Sequence, residues 1–189
     1  MYKLCKTEQS AKRQRIIENQ LEEMMKKQEF ARITVSALCA KIGMPRKSFY
    51  CYFDTKEDVV HSLIEHRIKD FDYFETEDFL MQKASTQEIL ERFFRYWRQQ
   101  CRLLDGLQRS SLSGLLVELT VQHTIREEKS MQFMRWSNKD WQSQEIIRFC
   151  VSGLMSMVLE WHRTSYEKSP VEMAQKAAYI LTSPCFRNI

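Results

Sequence analysis

Only 4 glycines and 3 prolines punctuate the 189 residues, and this scarcity is the strongest constraint on what the chain can become. A many-stranded sheet needs a turn former at every reversal of direction, and here the supply is too small. The abundance of Leu, Glu, Lys, Arg, Gln and Met favours helix instead. The chain is therefore expected to be all-α, with about nine helices. At 43% hydrophobic and 29% charged residues, a disordered chain is excluded and one or two globular cores are within reach.

The few breakers that exist fall where they carry most information. In the stretch ITVSALCAKIGMPRKSFYCYF, Ile33 to Phe53, Thr34 is a good N-cap, and Val35, Leu38, Cys39 and Ile42 recur at helical spacing. Gly43 ends that helix. Pro45 then opens another, because its missing N–H costs no bond in a first turn. Phe49 and Phe53, four residues apart, continue the apolar face, which leaves Arg46, Lys47 and Tyr50 together on the opposite one. Upstream, a first helix is expected from about Glu8 to Lys27, with Ile17, Leu21 and Met24 on one stripe and Lys12, Arg13 and Arg15 in its first turns.

Downstream, Asp54-Thr55-Lys56-Glu57 has the form of a capping box and predicts a fourth helix to around Phe74, with a connector over 75–84. Ser85-Thr86-Gln87-Glu88 is a second box, opening a helix with Ile89, Phe93, Phe94 and Trp97 on its apolar side. Further helix is expected from about Ser111 to Glu128 and from about 142 to 164. Ser169-Pro170-Val171-Glu172 launches a last one to about Leu181. The domain reading is 1–54 followed by 55–189, with the helix from 55 to about 74 as the link.

Charge separates the same two parts. Residues 1–50 hold 11 Lys or Arg against 5 Asp or Glu, a net +6, while 51–189 hold 18 against 20, a net −2. A positive small domain on a mildly acidic body points to a polyanionic partner. Two short helices joined by a glycine turn fit the helix-turn-helix, whose second helix enters the major groove of double-stranded DNA. Pro45 to Tyr52 is roughly 12 Å long at 1.5 Å per residue, comparable with the groove width. Arg46 and Lys47 occupy the first turn, which meets base edges, and either can donate to guanine O6 and N7. Ser48, Tyr50, Tyr52 and Lys56 offer hydroxyls and an ammonium to phosphate oxygens along the rim. The N-terminus of the fourth helix, where Lys56 stands, adds N–H groups suited to the same phosphate.

Gly43-Met44-Pro45-Arg46-Lys47-Ser48-Phe49-Tyr50-Cys51-Tyr52-Phe53-Asp54-Thr55-Lys56-Glu57 resembles the turn, recognition helix and fourth-helix start of the tetracycline-repressor (TetR) family of bacterial regulators. Phe30 to Val35 resembles that family's entry into helix 2. The resemblance covers about 60 residues and is looser beyond Phe74. It implies a DNA-binding transcriptional regulator in which Thr34, Ser36, Arg46, Lys47, Ser48, Tyr50, Tyr52 and Lys56 face DNA. It also implies a homodimer through helices near 142–164 and 170–181, placing Gly153, Ser156, Met157, Trp161, Ala174 and Ala178 at the interface. Two positions depart from the pattern: Pro45 replaces the usual Ser or Thr cap, and Cys51 replaces a larger or basic residue. Repression of a palindromic operator, relieved by a small-molecule effector, is the behaviour implied. The alternative is a regulator or co-activator that answers to a protein partner and has no small-molecule pocket.

An aromatic and Met-rich group, Phe71, Phe74, Phe93, Phe94, Trp97, Phe133, Trp136, Phe149 and Met155, is expected either to line a pocket for an apolar or aromatic effector or to fill a core. Pattern alone does not separate these. Gly153, beside Ser152 and Ser156, would let another helix come close, from the same chain or a second copy. The four histidines, at 61, 66, 123 and 162, have no metal-ligand spacing and no partner serine motif, so neither a metal nor catalysis is expected. No cofactor is expected. The six cysteines lack a CxxC pair and are read as reduced thiols, Cys51 being the one that could touch DNA contacts if oxidised. The longest apolar run, Phe149 to Leu159, is about half of what a bilayer needs. With no secretory signal in the charged opening residues, the protein is expected in the cytoplasm.

Overall fold

A computed structural model describes residues 7–79, 85–126 and 143–183, with the backbone alone for 72–79. Among these residues there are nine α-helices and no strand: α1 Glu8–Met25, α2 Val35–Lys41, α3 Arg46–Phe49, α4 Lys56–Phe79, α5 Thr86–Gln99, α6 Cys101–Arg109, α7 Ser113–Arg126, α8 Gln144–Arg163 and α9 Pro170–Thr182. A 3-10 turn, Phe30–Arg32, leads from α1 towards α2. None of the described helices is long and apolar enough to cross a membrane.

The chain divides into two compact units, one formed by 1–67 with 102–116 and the other by 68–101 with 117–189. The division falls within α4 rather than at 54/55, and α6 clusters with the N-terminal helices. In the first unit, Ile17, Leu21 and Met25 of α1, Leu38 of α2, Phe49, Phe53, and Leu63 and Ile64 of α4 are all buried. The core also holds charge. Glu18 and Glu22 lie on the covered side of α1. Ser62 Oγ donates to Glu18 Oε1 at 2.6 Å, and His66 Nδ1 lies 2.9 Å from both Glu18 oxygens. Arg67 Nη2 donates to Glu22 Oε2 at 2.9 Å. These bonds tie α1 to α4, with the hydrogen bonding that a buried carboxylate requires.

Helix α6 was not foreseen as a separate element. It packs so closely on α1 that a Cβ at Gly106 would lie 2.9 Å from Met25 Cβ, and Ser110 Oγ just beyond it accepts the Phe30 N–H at 3.0 Å. Its end has the paired backbone bonds of a Schellman stop: Leu112 N–H to Leu107 O at 2.8 Å and Ser111 N–H to Gln108 O at 3.1 Å, with Ser111 left-handed at φ 56. The same stop ends α2 at Gly43, φ 61, and α8 at Ser165, φ 54, each with its two bonds in place.

In the second unit α5 lies along α9 and touches α8. Phe93, Phe94 and Trp97 of α5 are buried and meet edge to face, with Phe94 also against Trp161 of α8 at a centroid distance of 5.6 Å. The buried residues of α8, Ile147, Cys150, Val151, Leu154, Met155, Val158 and Trp161, form one stripe at helical spacing. Both capping boxes read from the sequence here are present, Ser85 with Glu88 and Ser169 with Glu172. α4 continues five residues past the expected end at Phe74, into the stretch taken as a connector.

Candidate nucleic-acid interface

Local chemistry builds the helix pair. Thr34 Oγ1 accepts the Ala37 N–H at 3.1 Å and caps α2, and the left-handed Gly43 releases the chain towards Pro45. Pro45 stands at the N-cap of α3 with no side-chain cap bond, as its lack of a hydroxyl dictates. α3 itself spans four residues, not the expected eight, because after Phe49 the coil tightens: Cys51 N–H bonds Ser48 O and Tyr52 N–H bonds Phe49 O. The chain stays helical in direction up to Phe53. Phe49 and Phe53 are both 0% exposed with ring centroids 5.8 Å apart, so α3 is bolted to the core by two phenyl rings.

That anchoring turns the other side outward. Arg46 and Lys47 are exposed, and Tyr50 is 41% exposed. Arg46 Nη2 donates to the Tyr50 hydroxyl across a long 3.4 Å, which holds the guanidinium pKa up and brings the two side chains together. Ser36 is exposed, whereas Ser48 and Tyr52 are half-buried. Thr34 is exposed with its hydroxyl oxygen already accepting the cap bond. Cys51 is exposed and turns its thiol back to Lys47 O at 3.7 Å. Cys39 is buried under the same pair, and burial pushes its thiol pKa up against a smaller opposing pull from Arg46.

Lys56 departs from expectation. Its ammonium turns inward and donates to Phe30 O at 2.9 Å, Ala31 O at 3.2 Å and Ile33 O at 2.8 Å, where the expectation had it on the phosphate rim. The cap of α4 is also displaced by one residue. Thr55, not Asp54, opens it: Thr55 N–H and Oγ1 donate to Asp58 Oδ2, and Asp58 N–H donates to Thr55 Oγ1.

Two patterns match the chain, that of bacterial regulatory proteins of the tetR family over residues 20–63 and that of a transcriptional regulator C-terminal region over 84–183. The protein is a TetR-family transcriptional regulator. No curated protein matches the sequence of this regulator, but its fold resembles those of solved regulators. Similar to it are the fatty acid degradation regulator FadR from Bacillus halodurans, 14% identical with TM-score 0.64 over 91% of this chain and 95% of that one; the dihydroxyacetone kinase operon activator DhaS, 15% identical with TM-score 0.55 over 89% and 93%; and the TetR family repressor AlkX from Dietzia sp. Strain DQ12-45-1b, implicated in biodegradation of n-alkanes, 12% identical with TM-score 0.57 over 93% and 96%. At such identities they share the fold. TetR-family regulators bind DNA and act as dimers, and they are transcription factors rather than enzymes.

The remaining expected residues of this TetR-family regulator sort unevenly. Phe71 rests against Phe93 and Tyr96 at centroid distances of 5.7 and 5.2 Å, so with Phe93, Phe94 and Trp97 it belongs to a packed ring cluster. Met155 is 0% exposed. Phe149, expected in the same group, is 63% exposed on α8. Phe133 and Trp136 lie outside the described residues, as does the side chain of Phe74. On the interface list, Trp161 and Ala174 are 3% and 0% exposed within one protomer. Trp161 Nε1 donates to Lys168 O at 2.8 Å, which makes it a core residue joining α8 to the turn before α9. Gly153 and Ser156 are exposed, Met157 and Ala178 half-buried. Around Gly153 a Cβ would meet nothing within 4 Å, so its smallness serves no close contact among the described residues of the protomer. Among those residues, no group of three or more His, Cys, Asp or Glu could hold a metal ion.

Proposed function

We propose that this regulator binds a palindromic operator as a homodimer and acts as a repressor, two copies of α3 entering successive major grooves about 34 to 36 Å apart. The observation that carries the reading is the pairing of outward Arg46 and Lys47 with fully buried Phe49 and Phe53. A stiff anchor places two cations in the turn that meets base edges. Ser36, Ser48, Tyr50 and Tyr52 supply phosphate contacts that fix register. The exposed Phe149, Gly153 and Ser156 of α8, with Tyr179 at 77% and Ile180 at 44% on α9, form the face on which the partner copy docks. Such a face is costly to leave in water and suited to a self-complementary contact.

Release would follow when an apolar effector binds the second unit and shifts α4, which contributes residues to both units. Each tenfold loss of operator affinity requires the effector to prefer the released state by about 1.4 kcal/mol. The names of FadR and AlkX, concerned with fatty acids and n-alkanes, fit an apolar effector. A second reading, response to a protein partner, is favoured by the mutual packing of Phe71, Phe93, Phe94 and Trp97. The test begins with selection of an operator from a random duplex pool by the full chain, with cytoplasmic expression in a bacterial host. Arg46→Ala should cost about 1 to 3 kcal/mol and relax preference at one base position in each half-site, and Lys47→Ala should weaken binding. Unchanged binding by both variants would remove α3 as the reading helix.

A further inference from the structure

We propose that Lys56 is a positioning residue for DNA recognition, a staple that sets the entry of α2 and thereby the pose of α3, rather than a group that touches DNA. This rests on the DNA-binding reading above. An ammonium has three N–H donors, and here three carbonyl oxygens at 2.8 to 3.2 Å receive them. None is left over for a phosphate.

The arrangement is built from two features. As the first residue of α4, Lys56 sends its side chain back past the helix start, the direction in which helical side chains lean. The oxygens it reaches belong to Phe30, Ala31 and Ile33, at the carbonyl end of the 3-10 turn, where the partial negative charge of a helix terminus gathers. The Phe30 ring lies 4.4 Å below the ammonium and adds a cation–π contact on a flank that water would otherwise wet. Ile33, the last of these, is buried and precedes Thr34, the cap of α2. α2 in turn packs on α3. One cation therefore ties the start of α4 to the segment that aims the recognition helix.

The experiment compares the wild-type full chain with Lys56→Met, Lys56→Arg and Phe30→Leu, on the operator selected by the wild type, at a temperature where circular dichroism shows every chain folded. Affinity is measured as a function of salt, and amide exchange is followed at Arg32 and Ile33, whose N–H groups bond Glu29 O and Phe30 O. A staple predicts that Lys56→Met loses affinity by about tenfold or more at unchanged salt slope, with faster exchange at both amides. Lys56→Arg should not rescue it, because a planar guanidinium cannot aim at three converging oxygens. Phe30→Leu, which removes no charge, should lose affinity in the same sense. A direct phosphate contact predicts the reverse: a slope reduced by about 0.9 in Lys56→Met, full retention by Lys56→Arg and undisturbed exchange. That pattern, or the absence of any change, overturns the proposal. If the wild type enriches no operator, the DNA-binding reading fails by itself, and undisturbed exchange in Lys56→Met would then still overturn the staple.

Discussion

Glu18 and Ser62 meet inside the first unit, the hydroxyl of one helix donating to the carboxylate of another at 2.6 Å, with both side chains 0% exposed. Removing the carboxylate strands a buried hydroxyl and takes the acceptor from His66. Glu18→Ala is expected to lower unfolding stability by about 2 to 4 kcal/mol. A double-mutant cycle with Ser62→Ala should return a coupling of about 0.5 to 3 kcal/mol. Independent, additive effects in chemical denaturation would show that the bond contributes nothing specific.

Gly106 and Ser111 make opposite predictions on the same helix. A methyl at 106 would press on Met25 Cβ at 2.9 Å, an atom fixed to its backbone, so Gly106→Ala should destabilise by about 1 to 3 kcal/mol. Ser111 is held left-handed at φ 56, where glycine is at ease. Ser111→Gly should therefore be neutral or stabilise by up to about 1 kcal/mol. Denaturant midpoints at constant m-value decide both.

The box that starts α9 should be sensitive to acid. Hydrogen bonds from the Ser169 backbone and then its hydroxyl hold the Glu172 carboxyl below its ordinary pKa. A carboxyl depressed in the folded state stabilises fully above its unfolded pKa, and that contribution fades as pH falls through the lowered value. Glu172→Gln should thus melt lower than the wild type at neutral pH, with the gap closing on acidification. A gap that is constant with pH would mean the charge plays no part.

Thiol labelling should separate the cysteines. Burial pushes Cys150 up to about 11, leaving little thiolate near neutrality. Cys51 is exposed. Among the described cysteines, iodoacetamide should modify Cys51 first in the native chain, and Cys39 and Cys150 only on unfolding, as mass spectrometry of peptides would register. Early labelling of Cys150 would contradict its burial.

What the sequence made legible was local. Thr34, Gly43 and Pro45 located α2 and the start of α3, and the serine-glutamate boxes located α5 and α9, because caps act within four residues of themselves. The end of α6 went unseen since Ser111 occupies a conformation that glycine would have advertised. Glu18 carries no local sign of burial, because its partners lie 44 and 48 residues away. The carbonyl partners of Lys56 were hidden for the same reason, lying 23 to 26 residues upstream. Trp161 and Ala174 fell on plausible interface helices, but which side of α8 and α9 faces α5 depends on tertiary packing that periodicity cannot rank.

The split into two units has an optical consequence. All four tryptophans, at 97, 136, 141 and 161, fall within the sequence ranges of the second unit, and the first has none. No indole therefore lies on α3, the helix that carries Arg46 and Lys47, and intrinsic tryptophan emission arises wholly from residues assigned to the second unit.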